Sequence, residues 1–380
     1  MSSLARALWR AVGSGWGLGI ILLLSALPWT RSQGALLGFK QAVPGVTLQF
    51  PADHAAHPAY RTEWWYYTGH LATAAGKRYG YQLTFFRHRV DSSGPTLNPS
   101  KWFADQVYMA HMAITDMTAK RFRAGEKLNR AALGLAGASE QRYHVWNEDW
   151  LAERLGSVHH LVGDIPGYKL NLIVTPLKPP VLHGLAQDGL SQKAEGRGHA
   201  SHYYSFTRLK TEGVLHTPEG VEEVTGSSWM DHEFGSSQLT EAQVGWDWFS
   251  VQLADNSELM LYRIRRKDGS LEPHSSGTLV QPDGSSRYLP GEAVQVQAHS
   301  QWKSPTSGAV YPQRWSITIP SEQLTLHLEP VLAEQELVTD NSTRVTYWEG
   351  SVTVRGTRRG QSVEGQGYVE LTGYVQRVNL

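Results

Sequence analysis

At residues 64–71 the chain carries an aromatic stretch that reads WWYYTGHL. Four aromatic residues in succession favour a β-strand, because aromatic side chains fit the pleated surface of a sheet. A second aromatic run, YGYQLTFFR at 79–87, follows after a short break that contains Gly76. Two such runs joined by a turn predict an antiparallel hairpin. The sequence therefore predicts that these two segments pair as neighbouring strands of one sheet.

The same pattern continues through the rest of the chain. Asp268-Gly269 and Asp283-Gly284 are turn signals of the kind that join antiparallel strands. Only 125–135 and 147–155 suggest short helices. The sequence therefore predicts an all-β, mainly antiparallel pair of barrels or sandwiches. Further strand segments are predicted at 107–115, 170–175, 246–253, 258–264, 314–319, 324–329, 345–354 and 367–375.

A weak internal repeat predicts two domains. WWYY at 64–67 can be aligned with WDWF at 246–249, and a leucine follows at the same distance in each copy. A chain of 380 residues is long enough for two domains. We place the boundary in the small polar stretch 235–245, which gives an N-terminal domain of 34–240 and a C-terminal domain of 241–380.

Composition excludes several classes of partner and chemistry. Lys+Arg and Asp+Glu are both 35, and this balance argues against nucleic acid or another polyanion as the partner. The absence of cysteine excludes disulfides, thiolate metal sites and cysteine nucleophiles. The sequence also lacks a glycine-rich phosphate loop and a nucleophile elbow. Nucleotide binding and serine-hydrolase chemistry therefore have no support in the sequence.

The N-terminus has the layout of an export signal. Arg6 and Arg10 precede an uncharged stretch at 11–30 whose centre, 18–27, is strongly apolar. The 20-residue uncharged run also permits an uncleaved membrane anchor, although Gly13, Gly15, Gly17 and Pro28 make it a poor spanning helix. We expect residues 1–33 to be a signal peptide or an anchor. The protein is then periplasmic or secreted, or membrane-associated through this segment.

Two segments, SWMDHEF at 228–234 and GWDWF at 245–249, hold the densest set of chemically active side chains. If both are strands, alternation places Trp229, Asp231 and Glu233 on one face and His232 on the other. Asp247 falls on an apolar face of its strand. Burial raises the pKa of a carboxyl group, and a carboxyl with a raised pKa can donate a proton near neutral pH.

We therefore predict Asp231, His232 and Asp247 as catalytic residues. The alternative for each aspartate is that it ties strands or loops together through hydrogen bonds. The alternative for His232 is a hydrogen-bonded histidine of the core. The residues alone leave both possibilities open.

Other aromatic and acidic residues are candidates for an apolar, aromatic-lined binding site. The alternative for each ring is that it fills a core. The 16 histidines include no pair with the helical spacing of a metalloprotease site, so we predict no metal. The predicted ligand-binding residues are Glu63, Trp64, Trp65, Tyr67, His111, Tyr203, Trp246, Trp248 and Trp348.

Eight motifs taken together resemble the AttH/carotenoid 1,2-hydratase family, a lipocalin-like group often described as secreted hydrolases. The likeness runs from about residue 60 to 374 and covers most of the chain outside the N-terminal segment. The motifs are EWWYYTGHL at 63–71, YQLTFFR at 81–87, AH at 110–111, YYS at 203–205, WMDHEF at 229–234, GWDWF at 245–249, YWEG at 347–350 and GYVELTGY at 367–374.

The resemblance implies two lipocalin-like β-domains with a ligand cavity at or near their junction. It also implies chemistry without a metal or an organic cofactor. Hydratases of this family add water to a terminal double bond of acyclic carotenoids. By this resemblance the site corresponds to His232, Trp246, Trp248 and Asp247. Phe234 stands where a hydratase-like tryptophan is expected, which puts the transfer of the catalytic site in doubt.

Three functions follow as hypotheses. The first is a cofactor-free enzyme that hydrates a C=C bond in an apolar ligand of the isoprenoid or lipid type. The second is a non-catalytic carrier of such a ligand, linked to an export system. The third, a secreted hydrolase, rests on the family description. Under each of these hypotheses we expect the protein to be a monomer that does not bind nucleic acid.

Overall fold

Strands dominate the structure, a computed structural model that describes residues 38–90 and 104–378. The predicted signal or anchor at 1–33 lies outside the described residues. Within those ranges, no helix is long and apolar enough to cross a membrane. The helical pieces are three short 3-10 turns at Ala52–His54, Gly291–Ala293 and Pro320–Glu322.

The first sheet has thirteen antiparallel strands in the order β4-β3-β2-β1-β13-β12-β9-β8-β7-β6-β5, with β10 and β11 also paired to β12. Its edge strands β4 and β5 approach each other, so the sheet curls on itself. The strands are β1 (Thr62–Ala72), β2 (Arg78–Arg89), β3 (Gln106–Asp116), β4 (Arg121–Arg130), β5 (Ala136–Ala138), β6 (His144–Asn147), β7 (Trp150–Leu155), β8 (Val158–Ile165), β9 (Tyr168–Pro176), β10 (Val181–Leu182), β11 (Leu190–Gln192), β12 (Ala200–Thr217) and β13 (Gly220–Gly235).

The second sheet has ten antiparallel strands in the order β17-β16-β15-β14-β23-β22-β20-β19-β18, with β21 paired to β22. The prediction of an all-β, antiparallel fold with two barrel-like sheets is therefore confirmed. The strands are β14 (Gln243–Leu253), β15 (Glu258–Arg266), β16 (Ser276–Val280), β17 (Ser286–Pro290), β18 (Gln295–Lys303), β19 (Val310–Ile319), β20 (Leu324–Pro330), β21 (Glu336–Leu337), β22 (Tyr347–Arg358) and β23 (Gln361–Leu371).

Each sheet encloses its own apolar core, and alternation along the strands decides which residues enter it. In β1, Trp65 and Tyr67 point into the core of the first sheet, together with Met230 and Phe234 of β13. In β14, Phe249 and the alternate residues after it point into the core of the second sheet. The intervening residues of these strands are left for the space between the two sheets.

A third apolar cluster packs between the sheets. It combines residues from the outer faces of β1, β12 and β13 with residues from β14, β15 and β23. Removal of this much aromatic surface from water stabilises the contact between the sheets. Its buried members are Tyr66, Tyr203, Trp229, Trp248, Met260, Tyr262, Ile264 and Tyr368.

The helices predicted at 125–135 and 147–155 are wrong. The first segment overlaps β4, which pairs with β3 along its length. The second spans the hairpin of β6 and β7, in which Glu148 adopts a positive φ of 56°. In β7, Trp150 and Ala152 are buried while their neighbours are more exposed, which is a period of two. Cross-strand pairing has overridden a weak local helical pattern.

The change from one sheet to the other occurs between Gly235 and Gln243, inside the stretch predicted as a domain boundary. The described residues after position 37 nevertheless form one compact unit. Division into two domains therefore stays a prediction.

Candidate functional site

A cavity lies between the two sheets. Its volume is about 790 Å³ when the open space at its mouth is included. Strands of both sheets supply its walls, so neither sheet could form it alone. The lining residues are Trp64, Tyr66, Gln82, Thr84, Phe86, Lys193, Tyr203, Asp231, Glu233, Gln238, Leu239, Trp246, Trp248, Tyr262, Ile264, Tyr347, Glu349 and Glu370.

The aromatic walls follow from the alternation of strand residues. Because Trp65 and Tyr67 point into the first core, Trp64 and Tyr66 of the same strand point into the cavity. From the facing sheet, Trp248 meets the ring of Tyr66 edge to face at 5.2 Å between centroids. Rings in this arrangement pack favourably and hold one another in place.

Asp231 is one of two carboxyl groups on the first-sheet wall of the cavity, and Glu233 is the other. Its Oδ1 accepts hydrogen bonds from Trp229 Nε1 at 2.6 Å and from the Ser205 hydroxyl, and its Oδ2 accepts one from the Tyr203 hydroxyl at 2.8 Å. All three donors are neutral. Burial raises the pKa of Asp231 to about 7, although the three hydrogen bonds act to lower it. This group can therefore carry a proton near neutral pH.

Two further carboxyl groups lie on the second-sheet wall. Glu349 of β22 and Glu370 of β23 are direct cross-strand partners. Glu349 accepts a hydrogen bond from the Tyr66 hydroxyl, and Glu370 accepts one from Trp246 Nε1 at 2.6 Å. Burial, followed for Glu349 by the charge of Glu370, raises the pKa of Glu349 well above its ordinary value. Burial also raises the pKa of Glu370 to about 7.

Lys193 is the single basic residue among the cavity-lining residues. Its Nζ lies 3.0 Å from Glu233 Oε1 and 4.1 Å from the centre of the Tyr262 ring. Burial is the largest influence and acts to lower the pKa of this lysine, but Glu233, Tyr262 and Asp231 together raise it. Lys193 therefore stays charged and is compensated by Glu233.

His232 lies on the opposite face of β13 from Asp231, inside the core of the first sheet. Its Nε2 lies 2.8 Å from Glu63 Oε1, and its Nδ1 lies 3.0 Å from the Tyr204 hydroxyl. The same carboxylate contacts His57 Nδ1 at 2.8 Å and accepts a hydrogen bond from Arg87 Nε at 3.0 Å. His232 does not line the cavity.

His57, Glu63 and His232 bring three ligand-type atoms within 4.8 Å of one another. In the structure these atoms hydrogen-bond to each other, and the Arg87 guanidinium already neutralises the carboxylate. A cation bound there would face the charge of Arg87 at close range. The geometry is that of a buried ion-pair network.

Asp247, predicted as a catalytic residue, does not line the cavity, because it shares a face of β14 with Phe249 of the second core. Its Oδ1 accepts hydrogen bonds from Arg265 Nε at 3.0 Å and from the Tyr374 hydroxyl at 2.9 Å. Burial raises the pKa of Asp247, against the charge of Arg265. These contacts tie β14 and β15 to the segment after β23.

The predicted ligand-binding residues divide between the cavity and the cores. Glu63 belongs to the network described above. His111 lies behind the cavity wall, with its Nδ1 2.8 Å from the Tyr347 hydroxyl. Trp348 is buried in the second core and donates its Nε1 to the Ala333 carbonyl at 2.7 Å. Four of the predicted residues line the cavity: Trp64, Tyr203, Trp246 and Trp248.

Sequence reasoning missed most of the polar wall. Glu370 was not predicted as a site residue, although it follows Val369, an apolar residue that points into the second core. That alternation was the available signal: a single acid inside an apolar strand occupies the face opposite its neighbours. Lys193 lies in an irregular segment after β11 and carried no comparable signal.

Comparison with known proteins adds three findings. The model of the AttH-like family matches residues 41–374. A crystal structure of a protein assigned as AttH from Nitrosomonas europaea has 35% sequence identity and a TM-score of 0.80, and covers 89% of this chain and 100% of that one. The crystal structure of kievitone hydratase from Nectria haematococca has 15% identity and a TM-score of 0.67, and covers 88% and 96% of the two chains.

One curated relative is also similar in sequence. Kievitone hydratase from Fusarium solani subsp. phaseoli is 24% identical over 172 residues, which are 44% of this chain and 48% of that protein. The alignment thus spans about half the length of that relative. The structural likeness to the Nectria haematococca protein supports the lipocalin-like fold over most of the chain.

Proposed function

This chain belongs to the AttH-like family, and from that membership and the chemistry of its cavity we propose that it is a hydratase-like enzyme. The proposed reaction adds water to a C=C bond of an apolar ligand of the isoprenoid or lipid type, without a cofactor. Similarity to kievitone hydratase supports this class of reaction. The observation that carries the proposal is Asp231, a buried acid facing an aromatic cavity with its pKa raised to about 7.

The first step is proton transfer from Asp231 to carbon. The π electrons of the alkene form the new C–H bond with the proton of the carboxyl group, and a carbocation remains at the other alkene carbon. Asp231 becomes a carboxylate that accepts hydrogen bonds from Tyr203, Ser205 and Trp229. Hydrogen bonds to the charged form stabilise the product of this step.

The second step is capture of the carbocation by water. The oxygen lone pair forms the C–O bond, and the proton that the added water loses returns to the Asp231 carboxylate. Alkene and water are consumed, an alcohol is formed and the acid is regenerated. The faces of rings such as Trp64 and Trp248 stabilise the cation by roughly 0.5–2 kcal/mol each, without removing a proton from it.

The site assignment we propose is narrower than the sequence prediction. Asp231 acts as the acid, whereas His232 and Asp247 lie on other faces of their strands and hold the fold around it. Export through residues 1–33, with the active protein outside the cytoplasm, is a further part of the proposal. It rests on the charged and apolar pattern of that segment alone.

The second candidate function is that of a ligand carrier, and one specific observation favours it. Both oxygens of Asp231 are engaged by fixed neutral donors, which is also how a structural carboxyl is held. A carrier needs only apolar walls and an opening. Binding without turnover is therefore the main rival to hydration.

The test is turnover of isoprenoid terminal alkenes in ¹⁸O-labelled water by the full chain and by Asp231→Asn, with Asp247→Asn as the matched buried control. We expect labelled alcohol from the wild type and the control, and a loss of at least about 100-fold in Asp231→Asn. Small molecules that co-purify with each protein are identified by mass spectrometry. Equal turnover in Asp231→Asn would refute the acid assignment. The same ligand bound to all three proteins without turnover would establish a carrier.

A further inference from the structure

The two walls of the cavity differ in how their acids are compensated. On the first wall, Glu233 is paired with Lys193 at 3.0 Å, and Asp231 accepts hydrogen bonds from three neutral donors. On the second wall, Glu349 and Glu370 have only neutral donors, the Tyr66 hydroxyl and the Trp246 indole. No further lysine, arginine or histidine is among the cavity-lining residues. Within residues 38–90 and 104–378, the second wall therefore has no positively charged side chain beside its two acids.

The placement of Glu349 and Glu370 is costly. They are direct partners across β22 and β23, where ionisation of both acids would place like charges opposite each other and destabilise the sheet. Glu349 Oε2 is buried and has no hydrogen-bond partner among the described residues. A buried polar atom without a partner costs about 1–3 kcal/mol, so its retention calls for an explanation such as a ligand contact.

We propose that the cavity binds a ligand that carries a cationic nitrogen, an amine or quaternary ammonium group, against the wall formed by Glu349 and Glu370. This inference refines the proposed function, because it names a feature of the ligand of the same cavity. The apolar body of the ligand then lies along the aromatic walls. Its alkene faces Asp231 on the opposite sheet.

A cation fits this wall better than a neutral hydrogen-bond donor. A neutral donor would satisfy Glu349 Oε2 but would not offset the repulsion that opposes ionisation of the two adjacent acids. A cation compensates both acids and is also attracted to ring faces. Tyr66 and Trp246 bond directly to these two acids, so aromatic rings and carboxyl groups share one surface.

Proton release supports the assignment. Because burial raises the pKa of both glutamates, the empty wall holds protons near neutral pH. A bound cation stabilises the carboxylate forms and lowers these pKa values. Binding of a cation at pH 7 should therefore release protons to the solvent, whereas binding of a neutral molecule with the same tail should not.

The experiment compares three probes with the same alkyl tail: decyltrimethylammonium, decanol and decyl sulfate, each below its micelle concentration. Calorimetry of the full chain in buffers of different ionisation enthalpy measures both affinity and proton release. We expect decyltrimethylammonium to bind at least about 10-fold more tightly than decanol, with release of protons. Glu349→Gln/Glu370→Gln should lose that preference and still bind decanol. The control Glu329→Gln, at an exposed position of the same sheet, should behave like the wild type.

Decanol or decyl sulfate binding as tightly as the cation would overturn the inference, as would a preference for the cation that survives in the double variant. If the double variant does not fold, the single variant Glu370→Gln is measured instead. Loss of its preference for the cation, together with proton release by the wild type, then tests the inference in the same way. Alkene hydration without a cation preference would remove this inference and leave the proposed function intact. A preference for the cation without turnover would support this inference and contradict the proposed hydratase activity.

Discussion

Glu63 and Asp231 are two buried carboxyl groups on neighbouring, hydrogen-bonded strands, and their pKa values shift in opposite directions. Burial acts to raise the pKa of Glu63, but the charges of His57 and Arg87 hold it below its ordinary range. Asp231 is about equally buried, and its hydrogen-bond donors are all neutral. Its pKa rises to about 7.

The comparison separates two uses of a buried acid. Glu63 lies in a closed core, where its charge holds together the segment around His57, the strand of Arg87 and the strand of His232. Asp231 faces a cavity and can exist with or without a proton. A charged partner fixes one protonation state, whereas neutral donors leave both states accessible. Burial alone does not tell these roles apart.

The largest effect is expected when the Glu63 network is broken. Glu63→Gln leaves the fully buried Arg87 without its counter-charge, which should lower the free energy of unfolding by roughly 3–5 kcal/mol. Urea denaturation followed by tryptophan fluorescence measures the change. The control is Glu140→Gln at an exposed position, where a change within about 0.5 kcal/mol is expected. If Glu63→Gln leaves the free energy of unfolding nearly unchanged, the network contributes little to stability.

A second prediction concerns the pH dependence of stability. The pKa of Asp231 is higher in the folded than in the unfolded chain, so the folded state binds more protons between these two values. Stability from this group is therefore present at low pH and is lost as the pH rises through about 7. Between pH 5 and pH 7 this loss amounts to about 2 kcal/mol.

Asp231→Asn removes the titrating group, so its unfolding free energy should fall less over this range than that of the wild type. Denaturation curves at pH 5, 6 and 7 for both proteins measure the difference. Parallel pH profiles for the two proteins would show that Asp231 is already ionised at pH 5, and the contrast with Glu63 would disappear.

The smallest effect is expected at Asp247. Asp247→Asn keeps the shape of the side chain and can retain one hydrogen bond, while it weakens the pair with the partly exposed Arg265. We expect a loss of about 1 kcal/mol in the free energy of unfolding. Affinity for ligands of the cavity should stay within about threefold of the wild type. A large loss of ligand affinity with unchanged stability would return Asp247 to the binding site.

Alternation along the strands was readable from the sequence. Alternation predicted that Trp229, Asp231 and Glu233 share one face of their strand with His232 on the other, and the structure confirms it. The family and the antiparallel β fold were also predicted correctly. The two short helices were wrong, because pairing with neighbouring strands outweighs a weak local preference.

Alternation does not say which of the two faces borders a cavity. Trp348 and Trp65 were predicted to bind ligand, yet they fill cores, while their neighbours Glu349 and Trp64 line the space between the sheets. A strand pattern fixes only that adjacent residues point in opposite directions. Which direction meets a core depends on how the sheets curl and face each other.

The sequence by itself determined the β class, many of the strands, the alternation of their faces and the family, because those depend on local pattern and on motifs. The tertiary structure decided which acids meet. Asp231 and Glu370 are far apart in the chain and reach one cavity from facing sheets. The tertiary structure also decided which charged or neutral groups lie beside each acid, and hence the direction in which its pKa shifts. A pKa depends on burial and on contacts across the fold, which the order of residues does not display.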